Sequence, residues 1–158
     1  GASGDTTNII GTLNKDGVAV ANTPAFEARS SAFQTIANTT NTQIVFGTEV
    51  IDTASAFASN TFTVPSGEGG KYFLFAQAGM QGFSTNRFLI ILRKNGSSGI
   101  GTGEFVSTIA QYPTVSASAL AVLAAGDTVD VTIYHDNGSN QNISTGDRTI
   151  FFGYKIIE

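Results

Sequence analysis

From Pro24 onward, short runs of β-branched and aromatic residues alternate with clusters of Gly, Asn, Asp and Ser. No stretch has helical periodicity, so the pattern predicts an all-β chain. AFEARS, residues 25–30, sets Phe26 and Ala28 on one face and Glu27 and Arg29 on the other. QIVFG (43–47) reads as a short apolar strand. NTFTV (60–64) turns Phe62 and Val64 inward and stops at Pro65, and SGEGG (66–70) is a turn. Strands are then predicted over 71–81, 87–94, 101–110 and 114–124, with Asn95-Gly96 as a hairpin signal and AGD (125–127) as a turn. TVDVTIY (128–134) alternates cleanly: Val129, Val131 and Ile133 oppose Thr128, Asp130 and Thr132. A polar loop, 135–147, precedes a closing strand over 148–157. Nine or ten strands of this length suit a two-sheet antiparallel sandwich.

Two strands break the alternation that such a sandwich requires. In KYFLF, Tyr72 and Leu74 oppose Phe73 and Phe75; in the closing strand, Ile150, Phe152, Tyr154 and Ile156 oppose Phe151, Gly153 and Ile157. Both faces of each are apolar, whereas an antiparallel sandwich covers only one. Burying one Phe is worth roughly 1.5–3 kcal/mol, and large apolar patches rarely stay open on monomers. Self-association is therefore expected, with symmetric closure making the partner another copy. Ile150, Phe152 and Tyr154 are read as the core set and Phe151 as the set facing the axis; a one-residue register change exchanges the two. The candidate residues for this interface between copies are Tyr72, Phe73, Phe75, Phe151 and Tyr154.

Composition narrows the function classes. The 158 residues are 41 % hydrophobic but only 13 % charged, about half the usual charged share. Ser, Thr, Asn, Gln and Gly must therefore supply the polar surface. A net charge of −4 with scattered Lys and Arg gives no nucleic-acid or anionic-membrane footprint. No apolar run reaches transmembrane length. Cysteine is absent, so stability must come from packing and association. Residues 1–23 read as an arm or linker with a hairpin around Asp16-Gly17, and 24–158 as the folded domain.

Candidate chemistry is sparse. His135-Asp136 lacks any nominated nucleophile, so no enzyme is expected. One His and dispersed acids argue against zinc, and no cofactor is expected. Asp127, Asp130, Asp136 and Asp147 could in principle serve calcium, but turn formation is the favoured reading. GIGTG (99–103) is not followed by a helix, so it reads as flexible hairpin sequence rather than a phosphate loop. Asn38, Asn95, Asn137 and Asn142 begin sequons, which chance explains in so Asn- and Thr-rich a chain. The loop from 135 is the candidate ligand surface. Tyr134, His135, Asp136, Asn137, Asn140, Gln141, Asn142 and Asp147 form an adaptable hydrogen-bonding set suited to glycan recognition, or else a merely solvated loop.

Taken in order, PAFEA (24–28), VFGTEVIDTASAF (45–57), FTVPSGEGGKYFLF (62–75), LRKNG (92–96), SALAVLAAGDTV (118–129) and FFGYKI (151–156) resemble the globular head of complement component one, subcomponent q, within the tumour-necrosis-factor-like jelly rolls. The resemblance covers residues 24–158. It implies a ten-strand jelly roll of two antiparallel sheets that assembles as a homotrimer, inner-sheet aromatics against the three-fold axis. GTLNKDGVAVANTPAFEA, NTTNTQIVFGTEVIDT and the 127–156 ending are similar to versions of this domain in bacteriophage virion proteins, where such modules end fibres or decorate the particle. The expectation is a non-enzymatic structural or adhesion module on the virion surface, binding host glycan or another virion protein, with no nucleic-acid partner and no membrane insertion. The alternative is a secreted recognition domain of the complement or tumour-necrosis-factor type, although the collagen-like run that precedes vertebrate members is not visible here.

Overall fold

Strand alternation, not propensity alone, decides how these residues layer. The computed structural model describes residues 14–15, 18–19, 21–82, 86–107 and 112–157, and every regular element among them is a strand. In chain order these are β1 (Asn14–Lys15), β2 (Val18–Ala19), β3 (Ala25–Ser30), β4 (Gln34–Ile36), β5 (Thr42–Gln43), β6 (Thr48–Asp52), β7 (Phe57–Ala58) and β8 (Thr61–Thr63). There follow β9 (Gly70–Gly79), β10 (Asn86–Lys94), β11 (Ser98–Ser107), β12 (Thr114–Leu123), β13 (Thr128–His135), β14 (Gln141–Ile143) and β15 (Gly146–Lys155). One sheet has the order β12-β9-β15-β3-β6. The other runs β11-β10-β13-β8-β7, with β5 also on β13. Small ladders join β14 to β4 and β1 to β2. Fifteen strands among the described residues exceed the ten expected, because ladders of two or three residues add to the long ones.

The core lies between the sheets. From the first come Phe26 and Ala28 of β3, Tyr72, Leu74, Ala76 and Ala78 of β9, and Phe151 of β15. Phe62, Phe88, Ile90, Leu92, Val129, Val131 and Ile133 answer from the second. Aromatic rings fill one end: Phe26 stacks on Phe62 at 4.5 Å and meets Phe151 edge-on at 4.8 Å. Such offset and edge contacts add to the area buried.

Three sequence expectations need correction. First, QIVFG is a strand only at its start, since β5 ends at Gln43. Beyond it, side-chain amides replace a ladder: Val45 N–H donates to Gln34 Oε1 at 2.9 Å and Phe46 N–H to Asn60 Oδ1 at 2.8 Å. Satisfied in this way, the backbone can leave the sheet without orphaned groups.

Second, GIGTG is not a flexible connector but part of β11, and its glycines alternate. A Cβ on Gly103 would lie 1.8 Å from the Ser116 carbonyl oxygen, and one on Gly101 would lie 2.6 Å from that of Ser118. Glycine therefore lets β11, an edge of one sheet, close directly over β12, an edge of the other. Each strand covers an edge that would otherwise offer unpaired backbone groups.

Third, the closing strand has the opposite facing from the one expected. Phe151 is fully buried in the core, while Ile150, Phe152 and Tyr154 sit half-buried on the outer face. The register explains it: Phe151 lies opposite Ala76 and Phe152 opposite Phe75, so each joins the set its β9 neighbour already occupies. Gly153 shares the inner face, where a Cβ would come within 2.6 Å of Leu74 Cδ2 and 3.0 Å of Phe26 Cε1.

Candidate functional site

The outer face of the β12-β9-β15-β3-β6 sheet is built from a second aromatic set. Register places Phe75 opposite Phe152 and Phe73 opposite Tyr154. The Phe75 and Phe152 rings stack at 5.1 Å, and the Phe73 and Tyr154 rings lie 5.7 Å apart. On β12, Ser118 and Leu120 face Phe75 and Phe73. Leu120 and Val122 are 69 % and 72 % exposed, though both are large and apolar. Toward the other edge Glu27 lies opposite Phe152 and is held by Arg29 at 2.6 Å, with exposed Ile51 beyond it. Four aromatic rings and several aliphatic side chains thus share one water-facing surface. Isolated apolar residues are ordinary on a surface, whereas a contiguous patch marks an interaction site.

Of the candidate interface residues, Phe73, Phe75 and Tyr154 lie on this face. Tyr72 and Phe151 do not: both are fully buried between the sheets. The Tyr72 hydroxyl donates to the Glu68 carbonyl at 2.6 Å, closing the turn before β9. Burial, with the Glu68 charge adding to it, pushes that phenol up to about 12. Phe152, Leu120 and Val122 belong to the face and were not assigned to it from sequence. Alternation along β12, with Ala117 and Ala119 inward, was the signal for the last two.

The polar loop is also differently used. His135 is fully buried at the end of β13. Its Nε2 lies 3.1 Å from the Ile36 carbonyl, and its Nδ1 accepts the Asn137 N–H at 3.3 Å. These bonds together fix the Nε2–H tautomer and make the imidazole a brace between β13 and β4, not a ligand contact. Asp136 Oδ1 accepts the Arg87 N–H at 2.8 Å. Asn140 Oδ1 accepts the Asn38 N–H, Asn38 Oδ1 accepts the Gly138 N–H, and Asn142 Oδ1 accepts the Thr35 hydroxyl. The amides expected to meet a ligand therefore staple the loop to residues 35–38. Tyr134 remains partly exposed on the outer side of β13, as do Asn140 and Asn142 at the rim. The loop also contains β14, which the polar composition hid.

Of the four candidate acids, Asp127, Asp130 and Asp136 make bonds within the fold, whereas Asp147 is exposed. Asp127 is held by Lys94 Nζ at 2.7 Å, by Asn95 Nδ2 at 2.9 Å and by the Ala124 N–H at 2.7 Å, and these bonds bring its carboxyl down to about 2. Asp130 takes a two-pronged pair from Arg93, 2.8 Å on each side. Among the described residues no group of three or more His, Cys, Asp or Glu is placed to hold a metal ion. No helix among them is long and apolar enough to cross a membrane.

No protein-family description matches this sequence, and no curated protein does. Solved structures do. The globular domain of zebrafish complement 1qA superposes with a TM-score of 0.65 at 17 % identity, covering 85 % of this chain and 98 % of that one. Eiger TNF from S. frugiperda gives 0.65 at 12 %, covering 85 % and 92 %. Murine APRIL at pH 8.0 gives 0.66 at 14 %, covering 84 % and 98 %. The fold is the complement-head and tumour-necrosis-factor-like jelly roll. At these identities the likeness establishes the fold alone.

Proposed function

We propose that this chain is a non-enzymatic, homotrimeric module of a bacteriophage virion, ending a fibre or decorating the particle. The observation that carries the assembly is the outer aromatic face: Phe73, Phe75, Phe152 and Tyr154, flanked by Leu120 and Val122. Association of three copies through it would bury apolar area that water now meets. The virion setting rests on the sequence resemblance described above. In that setting the loop around Asn140 and Asn142 is the proposed contact for host glycan or another virion protein, presented rigidly by its internal bonds. Light scattering on the eluting protein across micromolar concentrations tests the assembly: a trimer is expected, and a monomer throughout overturns it. Binding of purified trimer to host cells and their polysaccharides tests adhesion; no binding leaves only a structural role.

A second reading is a secreted recognition domain with protein partners, supported by the likeness to the complement head and to Eiger TNF. Neighbouring capsid or tail genes favour the virion; an upstream collagen-like repeat favours secretion.

A further inference from the structure

One arginine on the aromatic face has no charged partner among the described residues. Arg148 Nη2 donates to the Tyr112 carbonyl at 2.9 Å and to Thr114 Oγ1 at 3.3 Å, so the side chain reaches from β15 past β9 to the start of β12. Gly79 makes room for it: a Cβ there would lie 3.1 Å from Arg148 Nε and 3.2 Å from Arg148 Cβ. Gly79 belongs by alternation to the outer set of β9 with Phe73 and Phe75, so Arg148 crosses the end of that same face. Both of its acceptors are neutral. Arg29, Arg87, Arg93, Lys94 and Lys155 each meet a carboxylate, but Arg148 meets none among the described residues. Its neighbour Asp147 is exposed; its backbone carbonyl accepts from Gln77 Nε2 at 3.2 Å, and its carboxylate has no partner among the described residues. The pairing of β15 with β3 skips register between Gly146 and Ile150, which places both charges at the ragged end of the sheet.

β15 is the middle strand of its sheet. When three copies close this face about an axis, as proposed above and as this inference requires, the ends of the three central strands approach one another. A three-fold contact sets a residue of one copy against a different residue of the next. We infer that Arg148 of each copy pairs with Asp147 of the next, closing a ring of alternating charge at one end of the axis. Burial of the face otherwise leaves a guanidinium partly desolvated without a counter-charge, which is costly.

Asp147→Asn tests the ring, because it removes one charge and leaves the bonds of Arg148 to Tyr112 and Thr114 in place. The trimer dissociation constant, measured by sedimentation across a dilution series, is expected to rise roughly ten- to hundredfold, as for three interface pairs of exposed-pair strength. Asp147→Lys is expected to raise it further. In wild type the constant should rise with added salt, and in Asp147→Asn that dependence should largely vanish. Melting of the isolated subunit should not move. A wild-type trimer indifferent to Asp147→Asn and Asp147→Lys overturns the ring alone; a wild-type monomer at every concentration overturns the trimer and the ring with it.

Discussion

Phe151 and Phe152 are neighbours in sequence and opposites in energetic role, so truncating each gives a sharp comparison. Phe151 is wholly buried, with the rings of Phe26, Phe46 and Phe57 at 4.8, 5.8 and 6.0 Å. Phe151→Ala removes those contacts and leaves a cavity under a close-packed sheet, a cost of about 3–5 kcal/mol. For a domain of this size each kcal/mol lowers Tm by about 2–4 °C, so the expected fall is roughly 6–20 °C. Phe152 packs on Phe75 at 5.1 Å on the outer face, and its ring still meets water. Phe152→Ala should cost the isolated subunit little, about 1 kcal/mol, as for a half-buried cross-strand pair. Its larger effect falls on assembly. An assembled protein melts at a temperature that rises with concentration, because association stabilises the folded form by mass action. Thermal melts of wild type and both variants over a hundredfold range of concentration separate the two roles. Phe151→Ala should lower Tm by a similar amount at every concentration and keep the slope. Phe152→Ala should flatten the slope and leave the dilute-limit Tm close to that of wild type. If Phe152→Ala costs the dilute subunit as much as Phe151→Ala does, the assignment of inner and outer faces is wrong.

Gly103→Ala should be the most damaging small substitution in β11, since its methyl would meet the Ser116 carbonyl at 1.8 Å; a loss of at least 1–3 kcal/mol is expected from overpacking against backbone, read as a lower urea midpoint. Thr132 is 2 % exposed and its hydroxyl has no hydrogen-bond partner among the described residues, so Thr132→Val should hold or raise Tm, by up to about 1 kcal/mol in stability; a clear loss refutes the unpartnered assignment. The carboxyl of Asp127 is lowered to about 2 by Lys94, Asn95 and the Ala124 N–H, so its contribution is complete above its unfolded value near 4 and disappears as pH falls through about 2. Asp127→Asn should therefore flatten the fall of Tm between pH about 4 and about 2 and change nothing in its shape above that window. The Tyr72 phenol is raised to about 12, so stability is complete below its unfolded value near 10 and declines as pH rises toward 12; Tyr72→Phe should reduce that alkaline decline in a pH series of melts.

Much of the sandwich was legible because strand period and turn chemistry are local properties. AFEARS, TVDVTIY and the Asn95-Gly96 hairpin need only their own residues to declare themselves, and Asn95 and Gly96 do take the left-handed values, φ 52° and 71°, that such a turn demands. The doubly apolar strands announced a second apolar face on the same local evidence. Which face of the last strand was which was not local. Alternation divides Phe151 from Phe152 but cannot say which set is inside; pairing with β9 decides it. Gly153 carried a usable signal, since a glycine beside Leu74 and Phe26 marks the crowded side of a sheet. Gly101 and Gly103 carried another: glycines two apart share one face of a strand, and a shared bare face means close approach rather than a flexible turn.

The internal bonds of the candidate loop were not legible for a related reason. Composition counts donors and acceptors but not their prior commitments. His135, Asn140 and Asn142 are polar in sequence, yet each finds a partner near residues 35–38, about a hundred positions away along the chain. Only the folded chain brings those segments together.

The sequence by itself determined the β period, the turns, the excess of apolar faces and the low charge, because each follows from residues within a few positions of one another. The tertiary structure decided the facing of Phe151 and Phe152, the closure of β11 over β12, the commitment of the loop amides, and the solitary guanidinium of Arg148. All four depend on pairing across long sequence distances, where one residue of register or one missing Cβ changes which side chain meets which.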